Sequence, residues 1–280
     1  MLKLMNAEYR RLFKSKIFLF ELFGCFAAGL IISGYDVWMK NTFGDVYSAD
    51  NNLFIFPTFC GILCAVLTSL FIGKLYSDGT VRNLIIAGHS RKSVFLCEYL
   101  VTLCADVLFF FAFVFGRLII SCPVFKSFND SPKMLAIKTL LTITVIAVYT
   151  AVFVLIAVLN RNKAAVAIVC LLSAFGLLFY SMIINNLLAE PEIYEEHYYY
   201  DTENDELIKE EAMPNPNYVG GTKRVVYEFL NDFLPAGQSF QIGGNYDAPT
   251  VKSVFLIYDL CTVFICCLVG MLIFRKKDLK

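Results

Sequence analysis

The stretch GKLYSDGTVRNLIIAGHSRKS, Gly73 to Ser93, is a polar and basic interruption between two long apolar runs, and its reading decides the fold. Thr80 is placed to accept a hydrogen bond from an early helical N–H, and Val81, Leu84 and Ile85 recur at helical spacing. Gly88 supplies the residue that most easily takes a left-handed stop. Ser90 then stands as N-cap of the next helix, with Arg91 and Lys92 at a membrane surface before the apolar run that opens at Val94. The stretch therefore predicts one short amphipathic helix lying across the mouth of a helical hairpin, with a tight turn on each side.

Working outward, the 280 residues are 58% apolar and only 17% charged, whereas about a quarter of the residues of a soluble protein are charged. Apolar runs cover 17–38, 53–73, 94–122, 135–159, 164–188 and 251–274. Each is long enough to cross a bilayer core of about 30 Å, which takes about 20 helical residues. The expected fold class is an all-α integral membrane protein with six transmembrane helices in a single domain, 1–280. Leu22-Phe23-Gly24-Cys25 resembles a lipoprotein cleavage box only faintly, because Glu21 interrupts the apolar stretch before it and further spans follow. Ahead of the first span, residues 1–16 place Leu2, Met5, Tyr9, Leu12 and Phe13 on one helical face, with Lys3, Arg10, Arg11, Lys14 and Lys16 among the rest. That pattern belongs to a helix lying in the interface, basic side toward headgroups.

The net charge of zero hides a strong segregation. Lys3, Arg10, Arg11, Lys14 and Lys16, then Lys74, Arg82, Arg91 and Lys92, then Arg161 and Lys163, and finally Arg275, Lys276, Lys277 and Lys280 all fall on one side of a six-span topology. By the positive-inside rule that side is the cytoplasm of a cell membrane, and both termini are inside. The opposite side carries the loops around Lys40 and around Lys126 and Lys133. It also carries the insert 189–250, whose acids, Glu190 to Asp247, far outnumber Lys209, Lys223 and Arg224. Within the insert, Val225, Val226, Phe229, Leu230, Phe233 and Leu234 form one helical stripe that Pro235 and Gly237 end. Such a stripe seeks a membrane surface or the tops of the spans. The acidic run with Tyr194, Tyr198, Tyr199 and Tyr200 reads as a solvated face with interfacial aromatics.

Several chemistries have no residues to carry them. No Gly-x-x-x-x-Gly-Lys-Ser/Thr occurs, so ATP hydrolysis would have to come from another chain, and no His-Glu-x-x-His, Gly-x-Ser-x-Gly or paired CxxC is present. Glu195-Glu196-His197 lacks a second histidine on its side, since His89 lies in the basic loop, so no metal or other cofactor is expected in this chain. The ten cysteines sit in or beside apolar runs and read as small buried hydrophobes.

Charges inside spans carry a functional hypothesis by default. Glu98 lies about one turn inside the third span and is expected to reach the interface. Asp106 lies near its middle, and two readings stand: a residue on a partly wet path, or a protonated aspartate bonded to a neighbouring helix. Arg117 is near enough to the outer end to snorkel, with Asp36 and Asp259 as possible partners. Asp106 cannot pair with Arg117, because eleven residues of one helix separate them by about 16 Å. Asp106, Arg117 and Asp259 are the candidate lining of a translocation path.

The loop resembles the cytoplasmic loop of the ABC-2 type permeases, the membrane halves of ATP-driven transporters, in Asp78, Gly79, Thr80, Arg82, Asn83, Leu84, Ser90 and Arg91. The resemblance extends to the N-terminal elbow helix, the six spans, the insert between the fifth and sixth, and the tail FRKKDLK. One departure is Glu98, where such chains often carry a lysine. The resemblance implies a permease subunit whose loop, with Asp78, Gly79, Thr80, Val81, Arg82, Leu84, Ile85, Ser90 and Arg91, docks a soluble ATPase subunit that binds ATP and magnesium. It implies a second permease subunit, identical or a sister chain, embedded in the lipid bilayer, and no nucleic acid. It implies an external lid in Phe229, Leu230 and Phe233, and export of an amphipathic peptide, drug or lipid-like molecule, as in antimicrobial-peptide immunity. A sensory subunit acting through the acidic insert and an intramembrane enzyme using Asp106, Asp259 and Glu98 are the alternatives.

Overall fold

The computed structural model describes residues 1–44, 46–160, 162–195, 197–201, 206–244 and 252–276, without the side chains of 197–201 and 206–210. Arg161, Glu196, Glu203, Asp205, Asp247, Lys277 and Lys280 of the charge pattern lie outside the described residues, as do the side chains of His197 and its neighbouring tyrosines.

Helix α1 runs Leu2–Phe13, and the six long helices are α2 (Lys16–Phe43), α3 (Phe56–Ser77), α5 (Arg91–Phe125), α6 (Pro132–Leu159), α7 (Lys163–Ala189) and α10 (Val254–Lys276). The short α4 (Thr80–Ile86) joins α3 to α5, and α8 (Gly221–Phe233) and α9 (Pro235–Gly243) lie between α7 and α10. All six long helices are long and apolar enough to cross a membrane, and the chain is a multi-pass helical membrane protein. They begin and end within a few residues of the apolar runs because hydropathy and length alone set a span. Pro57 sits in the first turn of α3, where its missing N–H has no helical acceptor to lose. Asn162 caps α7 by accepting from the Ala164 N–H at 2.9 Å.

Helices α3 and α6 form the centre and are mostly buried by protein, whereas α2, α7 and α10 leave broad apolar faces uncovered. Helix α5 lies along α2, α3 packs on both α6 and α7, and α10 packs on α6 and α5. The basic segments meet at one end of this bundle. Arg91 donates to the Phe274 and Arg275 carbonyls at the end of α10, at 2.9 and 3.2 Å, and Gly73 lies against Lys163 at the start of α7. The charge asymmetry is thus a real spatial asymmetry.

At the opposite end the insert differs from the reading of a purely helical fold. It forms two small antiparallel ribbons, β1 (Ile193–Tyr194) with β4 (Met213–Pro214) and β2 (His197–Asp201) with β3 (Glu206–Glu210). Acidic composition masks strand propensity, and the ribbons are set by pairing rather than by a hydrophobic pattern. Pro235 does not simply stop α8. It opens α9, since proline fits a first helical turn, and α9 buries Pro235, Ala236, Gln238, Ser239 and Ile242 among α3, α6 and α7.

Helix α1 buries Leu4, Glu8 and Leu12, packs Met5 and Tyr9 against the core, and leaves Leu2 and Phe13 of the apolar stripe exposed. Glu8 is buried because Arg11, one turn on, reaches its carboxylate at 2.7 Å. Eight of the ten cysteines are buried or half-buried, and Cys104 and Cys261 are exposed; all ten are free thiols.

Candidate functional site

The residues from Asp78 to Arg91 form a compact unit at the basic end. Gly79 and Gly88 both take positive φ, 69° and 93°, a conformation that favours glycine. They bracket the seven residues of α4. The N-cap is Gly79, not Thr80: Thr80 is the first helical residue and no side chain caps the helix. The left-handed backbone makes the turn by itself, so the hydroxyl is not needed. Ser90 does cap α5, accepting from the Ser93 N–H at 3.2 Å.

The face of α4 is informative. Val81 is 1% exposed, and Leu84 and Ile85 are half-buried against the core. Arg82, Asn83 and Ile86 point away from the protein, Ile86 being 72% exposed. Val81, Leu84 and Ile85, which the resemblance counts among the ATPase-docking residues, hold α4 onto the bundle. Arg91, assigned to the same unit, is engaged with the end of α10 as described above, tying the loop to the last span. Asp78 is exposed beside Ser77, whose hydroxyl donates to it at 3.1 Å.

Asp106, Arg117 and Asp259, the expected path residues, are not gathered into one site. Arg117 does not snorkel: it is fully buried and pairs with Asp36 of α2 at 2.8 Å. It also donates to the Asn51 carbonyl, and Asn52 Nδ2 donates to the other Asp36 oxygen at 3.2 Å. Asp259 bonds elsewhere, accepting from Thr144 Oγ1 of α6 at 2.6 Å. Asp106 is 1% exposed and accepts from Thr150 Oγ1 of α6 at 2.7 Å, the geometry of an aspartate bonded to a neighbouring helix. Glu98 does not reach the interface. It is buried and accepts from the Tyr76 hydroxyl at 3.0 Å, a partner that the sequence reading missed because α3 and α5 meet only in the tertiary fold. Glu98, Asp106 and Asp259 therefore have separate partners, and Thr144 and Thr150 are six residues apart on α6, about 9 Å along its axis.

A cleft of about 350 Å³ lies between α2 and α3, lined by Phe20, Glu21, Phe56 and Phe59 together with Phe113 of α5. Glu21 is 6% exposed and neither carboxylate oxygen has a hydrogen-bond partner among the described residues.

At the acidic end, α8 turns its polar side inward. Asn231 is buried and accepts from Asn185 Nδ2 of α7 at 2.8 Å, and Asp232 receives Lys252 at 2.7 Å. Phe229 and Phe233 stack on each other at 5.7 Å, and each meets Tyr258 of α10 edge-on. Apart from that contact the stripe Val225, Val226, Phe229 and Phe233 is exposed, and Leu230 is half-buried. The anticipated lid residues thus face outward beside α10, while α9 occupies the space between the span ends.

Sequence reading also missed Asp50, which joins the two short loops at this end. It accepts from Ser48 Oγ at 2.5 Å, from the Asn129 N–H at 3.0 Å and from the Asp130 N–H at 2.7 Å. Burial raises its pKa, but these donors outweigh burial and hold the carboxyl below its ordinary value. A depressed pKa contributes stability that is present above the unfolded-state value, about 3.9, and is lost as pH falls through the lower folded value. Asp50→Ala is expected to lower hydrogen-exchange protection at Asn129 and Asp130 about 10-fold near neutral pH, the ~1.5 kcal/mol lower end for a charged acceptor. The difference from wild type should vanish in strong acid; equal protection near neutrality would show that Asp50 does not hold the joint.

No known family model matches the chain, and no curated protein matches its sequence.

Proposed function

We propose that this chain is the permease subunit of an ATP-driven transporter of the ABC-2 type, with the basic end in the cytoplasm. The observation that carries the proposal is α4: a seven-residue helix between two left-handed glycines, held to the bundle by Val81 and presenting Arg82, Asn83 and Ile86 outward. A helix so placed moves only with α3 and α5, so a load on its outer face is passed to the spans. The soluble subunit, which brings ATP and magnesium, docks on that face. The uncovered apolar faces of α2, α7 and α10 leave surface for lipid and for a second permease subunit. The phenylalanine-lined cleft between α2 and α3 accords with export of an amphipathic peptide, drug or lipid-like substrate.

The test is co-purification from native membranes in mild detergent. A soluble P-loop ATPase is expected with the wild-type chain and is expected to be lost with Ile86→Asp, whose side chain is exposed. Leu84→Asp is the weaker choice, because Leu84 is half-buried and its loss also disturbs packing. No ATPase with the folded wild-type chain would overturn the proposal in favour of a sensory subunit acting through the acidic insert. An intramembrane enzyme is less well supported, because Glu98, Asp106 and Asp259 do not converge.

A further inference from the structure

A second cavity at the basic end, about 520 Å³, opens between α1, the start of α2, the end of α3 and the start of α4. Its rim carries Arg11, Lys14, Lys16 and Lys74, and its wall is Ile17, Leu70, Phe71 and Leu75. Arg11 is held in place by Glu8 at 2.7 Å and lies 4.1 Å over the Phe71 ring. Lys14, Lys16 and Lys74 are exposed, and no acid pairs with any of them among the described residues. Among the described residues Asp78 is the one acid lining the cavity. Four cations thus converge on a cleft that Asp78 lines, with Glu8 and Glu98 both acting on Arg11. One helical turn along α2 from Lys16 and one turn back along α3 from Lys74, Leu19, Phe20 and Leu70 are exposed apolar side chains. A phosphate matches the rim, and an acyl chain matches the surface beneath it; a small soluble anion has no use for the second feature.

We propose that this cleft is a discrete binding site for an anionic phospholipid, with the headgroup phosphate among Arg11, Lys14, Lys16 and Lys74 and an acyl chain along Leu19, Phe20 and Leu70. Unlike diffuse attraction of a basic surface, the site depends on lysines from three different segments, the end of α1, the start of α2 and the end of α3.

The full chain, purified in mild detergent, is titrated with phosphatidylglycerol and with phosphatidylcholine, and retained lipid is read by native mass spectrometry. Phosphatidylglycerol is expected to be preferred. A basic residue near a lipid surface contributes roughly 5-fold, so the triple variant Lys14→Gln, Lys16→Gln, Lys74→Gln is expected to lose about 100-fold in that preference. All three side chains are exposed, so folding should survive, which an unchanged melting temperature verifies. The equally charged control Lys3→Gln, Arg10→Gln, Lys92→Gln removes exposed cations at the same end but outside the cleft, and is expected to keep the preference. An equal loss in the control would mean diffuse attraction and overturn the site, as would an unaffected triple variant. Inorganic phosphate is expected not to displace the lipid; full displacement at millimolar phosphate would identify a soluble anion as the ligand and overturn the lipid assignment.

Discussion

Arg117→Met should lower the melting temperature in detergent by roughly 10 °C, from a loss of about 3–5 kcal/mol at 2–4 °C per kcal/mol. The guanidinium is fully buried in the α2–α5 seam toward the end opposite the basic segments, and it is the one cation paired with Asp36 among the described residues. Methionine fills similar volume but leaves the Asp36 carboxylate in the interior with, among the described residues, only Asn52 Nδ2 to donate to it. Breaking such a pair from one side is far more costly than replacing both partners by apolar groups. The double variant Asp36→Leu, Arg117→Met should therefore recover most of the lost stability. Calorimetry or a fluorescence melt of the three proteins decides it. A single variant that melts with wild type would mean that Asp36 is solvated or protonated and that the pair does not close the seam.

Gly116→Ala should also destabilise strongly, against the propensity of alanine for helices. A Cβ at Gly116 would overlap the Phe26 carbonyl oxygen, and a Cβ at Gly29 would overlap that of Phe113. Both obstacles are backbone atoms, so no rotamer change relieves them and α2 must move away from α5. That separation would pull on the Ser33 Oγ bond to the Arg117 carbonyl, 2.9 Å, and on the Asp36 pair beside it. Overpacking costs about 1–3 kcal/mol, and the strained ion pair adds to it. Gly24 and Gly176 meet nothing within 4 Å at the same test position. There alanine should be neutral or stabilising by up to about 1 kcal/mol. The opposite signs are the result to look for in thermal melts; a Gly116→Ala variant that behaves like Gly24→Ala would show that the two helices are not in close contact.

Much of the candidate site was legible because its signals are local. Gly88 takes the left-handed stop and Ser90 caps α5, since a cap is decided within four residues of chain. Thr80 misled for the same reason: a hydroxyl before an apolar repeat resembles a cap, yet Gly79 had already made the turn. The face of α4 was not legible. Val81, Leu84 and Ile85 mark an apolar stripe, but a stripe does not say whether it meets its own bundle or a separate subunit.

By itself the sequence determined six membrane-spanning helices, their limits to within a few residues, and one short helix between the second and third. It also determined that the basic segments gather at one end, because hydropathy over about 20 residues and alternation of loop charge are properties of the chain alone. Only the tertiary structure decided the polar partners. Arg117 had Asp36 and Asp259 as candidates, and the close glycine-mediated approach of α2 to α5 selects Asp36 while α6 supplies Thr144 to Asp259. Likewise α8 turns Asn231 inward because Asn185 waits on α7, which leaves its phenylalanines outward. A buried polar group in an apolar surrounding must bond to whatever donor or acceptor the packing brings within about 3 Å, and that choice is made between helices, not along one.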